Sequence, residues 1–263
     1  MNDIVDEKNN IKLQDFIRYS NSEISEILKI NEKAEIELFE YEKLSYIKIY
    51  NLFENPEDAK NFLIKFPCED RMKSIMETKK TDIVSQAPGF QQTYNSMFFK
   101  NVSQYFHKIL KDNGLCHYEW DTSCWEFYSN CIYSNMKCYN QNYLPHLDEF
   151  SYASNIFLTD IKNTGTNFFK FNGLNGEYYS LHEISRNKSE KEYYKSLILK
   201  KFPDSSSVSD WVVFEGNEQF ILYHTIPAEY NSVSMYKGNF WHSIKFDASV
   251  QNQIRYSLVA VLR

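Results

Sequence analysis

What most constrains the fold is the texture of the chain after residue 115. Short aromatic-rich stretches alternate apolar and polar residues and are broken by turns, as in "ASNIFLTDI", "TNFFKFNG", "QFILYHTIP", "YNSVSMYKG" and "IRYSLVAVLR". Alternation with period two places successive side chains on opposite faces of a strand. Strands this short and this regularly spaced predict a β-sandwich or barrel. Tyr and Phe, 20 of each, suit pleated surfaces and strengthen that expectation. One amphipathic stretch, "YYKSLILKKF", interrupts the pattern. With Ser189 and Glu192 in capping-box spacing before it, it marks a helical insertion over 177–210.

The first half reads differently. Residues 1–20 form a polar, acidic tail, and 21–114 a mainly helical region packed on the β core of 115–263. Residues 21–45 are expected as one or two helices and 46–53 as a strand. The segment "NPEDAKNFLIKF" carries strong start signals, with Asn55 placed to cap and Pro56 at the first helical position. "APGFQQ" over 87–92 reads as a turn, and 101–114 as an amphipathic helix stopped by Gly114. The fold class expected is α+β.

Net charge is −6 with no dense basic block, which argues against nucleic acid as a partner. No signal peptide and no membrane span is expected, which points to a cytoplasmic protein. Five cysteines without a C-x-x-C pair predict reduced thiols packed in strands, neither a disulfide framework nor zinc.

The chemistry is concentrated in "YLPHLDEFS". If the segment is extended, His146 and Asp148 share a face, offering one imidazole and one carboxylate. Two histidines and one carboxylate on one face hold a metal and leave positions open for O2 and a co-substrate. His242 in "GNFWHSIKF", 94 residues beyond Asp148, is the best candidate for the third ligand, with His224 second. Thirteen residues after His242, Arg255 and Ser257 share a face of an otherwise apolar strand. A guanidinium projecting from such a face needs an anion, either a bound carboxylate or an internal acid. Trp211, Trp241, Phe240 and Tyr236 are candidates to line a pocket.

In this order, "YLPHLDEF", "NIFLTDIKNTGTNFF" with a Gly-Thr-x-Phe turn at Gly165–Phe168, "YNSVSMYKGNFWHSIKF" and "NQIRYSLVAVLR" resemble the Fe(II)/2-oxoglutarate-dependent oxygenases of the prolyl-hydroxylase-like type. The likeness covers about residues 130–263. More loosely, the N-terminal part is similar to an uncharacterised bacterial and phage branch of them. The resemblance implies a double-stranded β-helix, a cupin-like jelly-roll barrel, with N-terminal helices packed on it. It implies Fe(II) on His146, Asp148 and His242, and 2-oxoglutarate held by Arg255 with help from Ser257. Tyr139 is a candidate for the assisting tyrosine, and Asn155 and Thr166 for contacts to the proximal carboxylate. The activity implied is hydroxylation of an unactivated C–H bond with O2, on an amino acid or a peptide or protein side chain. Asp148 stands where halogenating members have Gly or Ala, which favours hydroxylation or desaturation. The alternative is a non-catalytic cupin-like protein that binds a metal or small molecule.

Overall fold

The computed structural model describes residues 19–65, 69–70, 90–94, 96–133, 145–148, 150–201, 216–245 and 254–263. Five α-helices, two short 3-10 helices and twelve strands are found among them. The helices are α1 (Asn21–Ile27), α2 (Pro56–Leu63), α3 (Lys100–Asp112), α4 (Leu181–Ser185) and α5 (Lys188–Lys201). The strands are β1 (Glu35–Tyr41), β2 (Leu44–Tyr50), β3 (Glu69–Asp70), β4 (Phe90–Tyr94), β5 (Trp125–Tyr133), β6 (Tyr152–Phe157), β7 (Gly165–Asn172), β8 (Glu177–Tyr178), β9 (Phe220–Pro227), β10 (Ser232–Lys237), β11 (His242–Lys245) and β12 (Ile254–Leu262). The protein is a mixed α+β structure dominated by antiparallel strands.

The strands form two sheets. The larger has the order β1-β2-β10-β6-β12-β5-β4-β3, and the smaller β11-β7-β8 with β9 also paired to β7. Neither sheet closes on itself among the described residues. The alternation seen in the sequence assigns the faces. In β12, Tyr256, Leu258, Ala260 and Leu262 join one apolar cluster, while Val259 and Val261 join another. The first cluster is the outer face of the large sheet, where Ile24 of α1, Phe62 of α2 and Phe106 of α3 pack. The second lies between the sheets and includes Phe168 of β7 and Ile226 of β9. A third cluster, with Phe169, Phe171, Trp241 and Ile184, covers the outer face of the small sheet. The order of layers is therefore helices, large sheet, small sheet, helices.

Several sequence expectations are corrected. Among its described residues, the region 21–114 supplies strands as well as helices, and β1 to β4 all belong to the large sheet. "EIELFEY" forms β1, although 21–45 was expected as helix; only 21–27 is helical. The charged, helix-favouring composition outweighed a real alternation in that reading. The hairpin is fixed by a two-residue turn, in which Tyr41 pairs with Leu44 and Glu42 takes a positive φ of 52°. In "APGFQQ", residues 90–92 belong to β4 rather than a turn, and 87–89 lie outside the described residues. Asn55 makes no side-chain capping bond to α2. α5 starts at Lys188, ahead of the expected Ser189–Glu192 box, and Asn187 Oδ1 accepts from the Ser189 amide. Gly165–Phe168 is the start of β7 and not a turn. Glycine is required there, since a Cβ at 165 would lie 2.1 Å from the Ile226 carbonyl oxygen. Cys116 and Cys124 are free thiols but lie outside strands, Cys116 in the loop after α3 and Cys124 in a 3-10 turn. The 1–18 part of the tail, Cys68, Cys138 and residues 202–210 of the insertion lie outside the described residues.

The outer cluster is expected to carry much of the stability. Phe127 is fully buried and stacked on Phe99 at 4.4 Å between centroids. Phe127→Ala removes most of that ring and leaves a cavity, so urea unfolding is expected to show a loss of about 3–5 kcal/mol.

Candidate metal centre

His146 and His242 are brought together by backbone pairing. The His146 amide donates to the His242 carbonyl at 2.9 Å, and the His242 amide returns the bond at 3.0 Å. Directly opposed residues in an antiparallel pair point to the same face. The row continues across the small sheet, with His242 opposite Phe168 and Phe168 opposite His224. Phe168 lies in the cluster between the sheets, so this whole row faces the interior.

Asp148 is two residues beyond His146 and returns to the same face. Its amide donates to the Gly238 carbonyl at 2.8 Å. This close approach requires a glycine, because a Cβ at 238 would lie 2.5 Å from the Phe150 carbonyl oxygen and 2.9 Å from Asp148 Cβ. The outcome is one compact donor set. His242 Nε2 lies 3.3 Å from Asp148 Oδ2, and His146 Nε2 lies 3.7 Å from Asp148 Oδ1. One ligand atom from each of the three residues lies within 4.8 Å of the others.

The orientation of His242 is set by a second bond. Its Nδ1 lies 2.9 Å from the Phe240 carbonyl oxygen. A carbonyl can only accept, so Nδ1 carries the proton and Nε2 is turned toward Asp148. Metal-bound histidines are oriented in the same manner. Two imidazoles and a carboxylate converging from an interior face therefore fit a divalent ion as its donor set.

The electrostatics agree. Burial pushes the Asp148 carboxyl up, but the neighbouring charge and hydrogen bond of His242, with His146 beyond, hold it below the usual carboxylate value. For His242, burial favours the neutral ring, but Asp148 and the Phe240 carbonyl outweigh it and raise the imidazole above its ordinary 6.5.

The other candidates are distributed as follows. His224 shares the interior row but is separated from His242 by Phe168. Its ring stacks on Tyr41 at 4.5 Å, and burial lowers its pKa. It is not brought into the donor set. Arg255 is 4% exposed and Ser257 1%. Both lie on the β12 face that carries Val259 and Val261, toward the interior. The Arg255 guanidinium lies over the Phe157 ring at 5.1 Å from its centroid. Tyr139 lies outside the described residues. Asn155 and Thr166 do come together, with Asn155 Nδ2 3.5 Å from Thr166 Oγ1. Asn155 Nδ2 also donates to the Tyr236 hydroxyl at 2.8 Å.

Tyr236 is more than a pocket aromatic. Its ring stands edge-on to His242 at 5.0 Å, and burial, reinforced by the charge of Asp148, pushes its phenol well above the ordinary value. The sequence marked it as a candidate pocket aromatic, but not as a partner of Asn155 beside His242. Gly238 was not among the candidate residues, although "KGN" just before the His242 strand was a usable signal. Trp241 is on the outer face of the small sheet, not in the interior, and Trp211 lies outside the described residues. No family model matches the chain, and no curated protein matches it.

Two outcomes are expected from this geometry. Gly238→Ala, which crowds Asp148, should weaken Mn(II) binding in a calorimetric titration by at least about tenfold. The second concerns pH. A raised His242 pKa gives the metal-free fold stability that is complete below 6.5 and lost as pH rises through the raised value. A lowered Asp148 pKa gives stability that is present above 3.8 and lost as pH falls through the lowered value. The metal-free pair thus contributes most between those two ordinary values. A divalent ion must displace the His242 proton, so Mn(II) affinity should begin to fall at a higher pH than an ordinary histidine would give.

Proposed function

We propose that the protein is an Fe(II)- and 2-oxoglutarate-dependent dioxygenase that hydroxylates an unactivated C–H bond. The observation that carries this reading is the His146, Asp148 and His242 donor set, its three ligand atoms within 4.8 Å on one interior face. The strand pattern supports it. Following the chain, β5 lies in the large sheet, 145–148 pairs with β11 of the small sheet, and β6 lies in the large sheet again. Next, β7 and β9 lie in the small sheet, β10 in the large, β11 in the small and β12 in the large. Repeated crossing between two facing antiparallel sheets is how a jelly roll is wound, and the double-stranded β-helix is the finer fold we assign.

His146, Asp148 and His242 would hold the iron. Bound there, Fe(II) supplies open positions at which 2-oxoglutarate and O2 react to give succinate, CO2 and an oxidised C–H bond. The chain's own groups prepare that reaction. Arg255 offers a forked, permanently charged donor set to the distal carboxylate of 2-oxoglutarate, with the Ser257 hydroxyl beside it. Asn155, Thr166 and the Tyr236 hydroxyl form a part-buried polar cluster near His242 that suits the other end of a 2-oxo acid. Phe168, Ile226 and Val259 give the space between the sheets an apolar lining, which would limit water there. Asp148, by keeping a carboxylate in the donor set, favours hydroxylation or desaturation over halogenation. An amino acid or a peptide or protein side chain is the substrate class we assign, on the resemblance alone.

The test is succinate formation. Wild-type protein with Fe(II), ascorbate, O2 and 2-oxoglutarate is expected to release succinate, and His146→Ala, Asp148→Ala and His242→Ala to lose it. Arg255→Met should raise the KM for 2-oxoglutarate about tenfold or more while leaving Mn(II) binding intact. Full turnover in the His146→Ala and Asp148→Ala variants would overturn the ligand assignment.

A further inference from the structure

Among the described residues of the insertion, Tyr179 reaches the cluster between the sheets, and the helices α4 and α5 lie on the other side. These helices pack against the back of the strands that carry the metal ligands. Leu147, between His146 and Asp148, and Trp241, immediately before His242, both point to the outer face of the small sheet. There they meet Ile184 of α4 and Tyr193 and Tyr194 of α5. Tyr194 stands edge-on to Trp241 at 5.9 Å and to Phe171 at 5.3 Å.

Two further contacts tie the insertion to the site. Ser180, at the start of α4, forms an antiparallel bridge with Phe240. The Phe240 carbonyl is the group that orients His242 through Nδ1. The second contact is Glu190 of α5, which is 0% exposed. Its carboxylate accepts from the Leu174 amide at 2.9 Å, the Asn175 amide at 2.8 Å and Asn175 Nδ2 at 2.6 Å. These belong to the turn between β7 and β8. Gly173 allows this approach, because a Cβ there would lie 2.1 Å from Glu190 Oε2. A buried carboxylate is costly unless its oxygens are satisfied by donors, and here three donors from one turn satisfy it. Glu190 therefore pins α5 to β7, the strand that pairs with β11.

We propose that Glu190 and Tyr194 are positioning residues for the metal: they clamp α5 against the back of the small sheet and so fix Trp241, Phe240 and the ring of His242. The proposal rests on the metal reading given above, but it concerns a part of the chain outside the donor set. The ligands sit on a β11 of four residues and on a single bridge at His146, so the ladder alone gives them little support. The helical layer supplies the packing that the short pairing lacks.

The test measures metal binding in the full chain, with Mn(II) by calorimetry and Co(II) by its visible spectrum. Glu190→Ala and Tyr194→Leu are expected to weaken Mn(II) affinity about tenfold and to alter the Co(II) bands. Glu190→Gln keeps an acceptor oxygen for the turn and should retain affinity closer to wild type. Phe106→Leu, in the outer cluster of the large sheet, serves as a control that lowers stability elsewhere and should leave affinity within about twofold. Wild-type affinity and an unchanged Co(II) spectrum in both α5 variants would overturn the proposal while leaving the donor set intact. Absence of Mn(II) binding by the wild-type protein would instead overturn the metal reading, and this inference with it.

Discussion

Two backbone hydrogen bonds between His146 and His242 hold the candidate site together. Each residue donates to the other's carbonyl, at 2.9 and 3.0 Å. That exchange puts both imidazoles on one face by the rule of antiparallel pairing, and Asp148 follows because it is two residues further on. A slip of one residue in this pairing would send the His146 ring and Asp148 to the outer face, among the apolar side chains of α4 and α5, while the pairing with β7 kept His242 on the interior face. The register therefore sets the chemistry, and the surrounding packing must hold that register.

Both sides of the small sheet contribute. On the outer side, Leu147 and Trp241 bury the alternate side chains of the ligand segments, so hydrophobic packing itself opposes the slip. On the interior side, Gly238 lets Asp148 approach and the Phe240 carbonyl sets the proton on His242. The large sheet supplies the opposing wall. Its interior face carries apolar Val259 and Val261 together with polar Asn155, Ser257 and Arg255, an unusual mixture for the space between two sheets. Buried polar groups are costly, and of these Asn155 reaches the candidate site through the Tyr236 hydroxyl, whose ring stands against His242.

Much of this was legible in the chain. The alternation after residue 115 gave β6, β7, β9, β10 and β12 in their places, since half-buried strands must alternate. The two-residue spacing of His146 and Asp148 gave a shared face once the segment was extended. The misreadings also have physical causes. β1 is an edge strand with Ile36 and Leu38 exposed, so its weak burial left a charged pattern that resembled a helix. The insertion was recognised as helical, but the side on which it packs depends on Trp241 and Leu147, which belong to other parts of the chain. Tyr236 was legible only as a candidate pocket aromatic, because its polar contacts come from lying beside His242 and Asn155.

The sequence by itself determined the residue types and their local periodicity: the His-x-Asp pair, the Arg-x-Ser pair, the late histidine and the strand-rich class. Those are set by backbone geometry within a few residues, and periodicity reports it directly. Only the tertiary structure decided that His242 rather than His224 completes the donor set, that Phe168 separates the two, and that α5 braces the ligand strands from behind. Strand order and register are long-range choices. They depend on which faces can be buried against each other, and no local pattern contains that information.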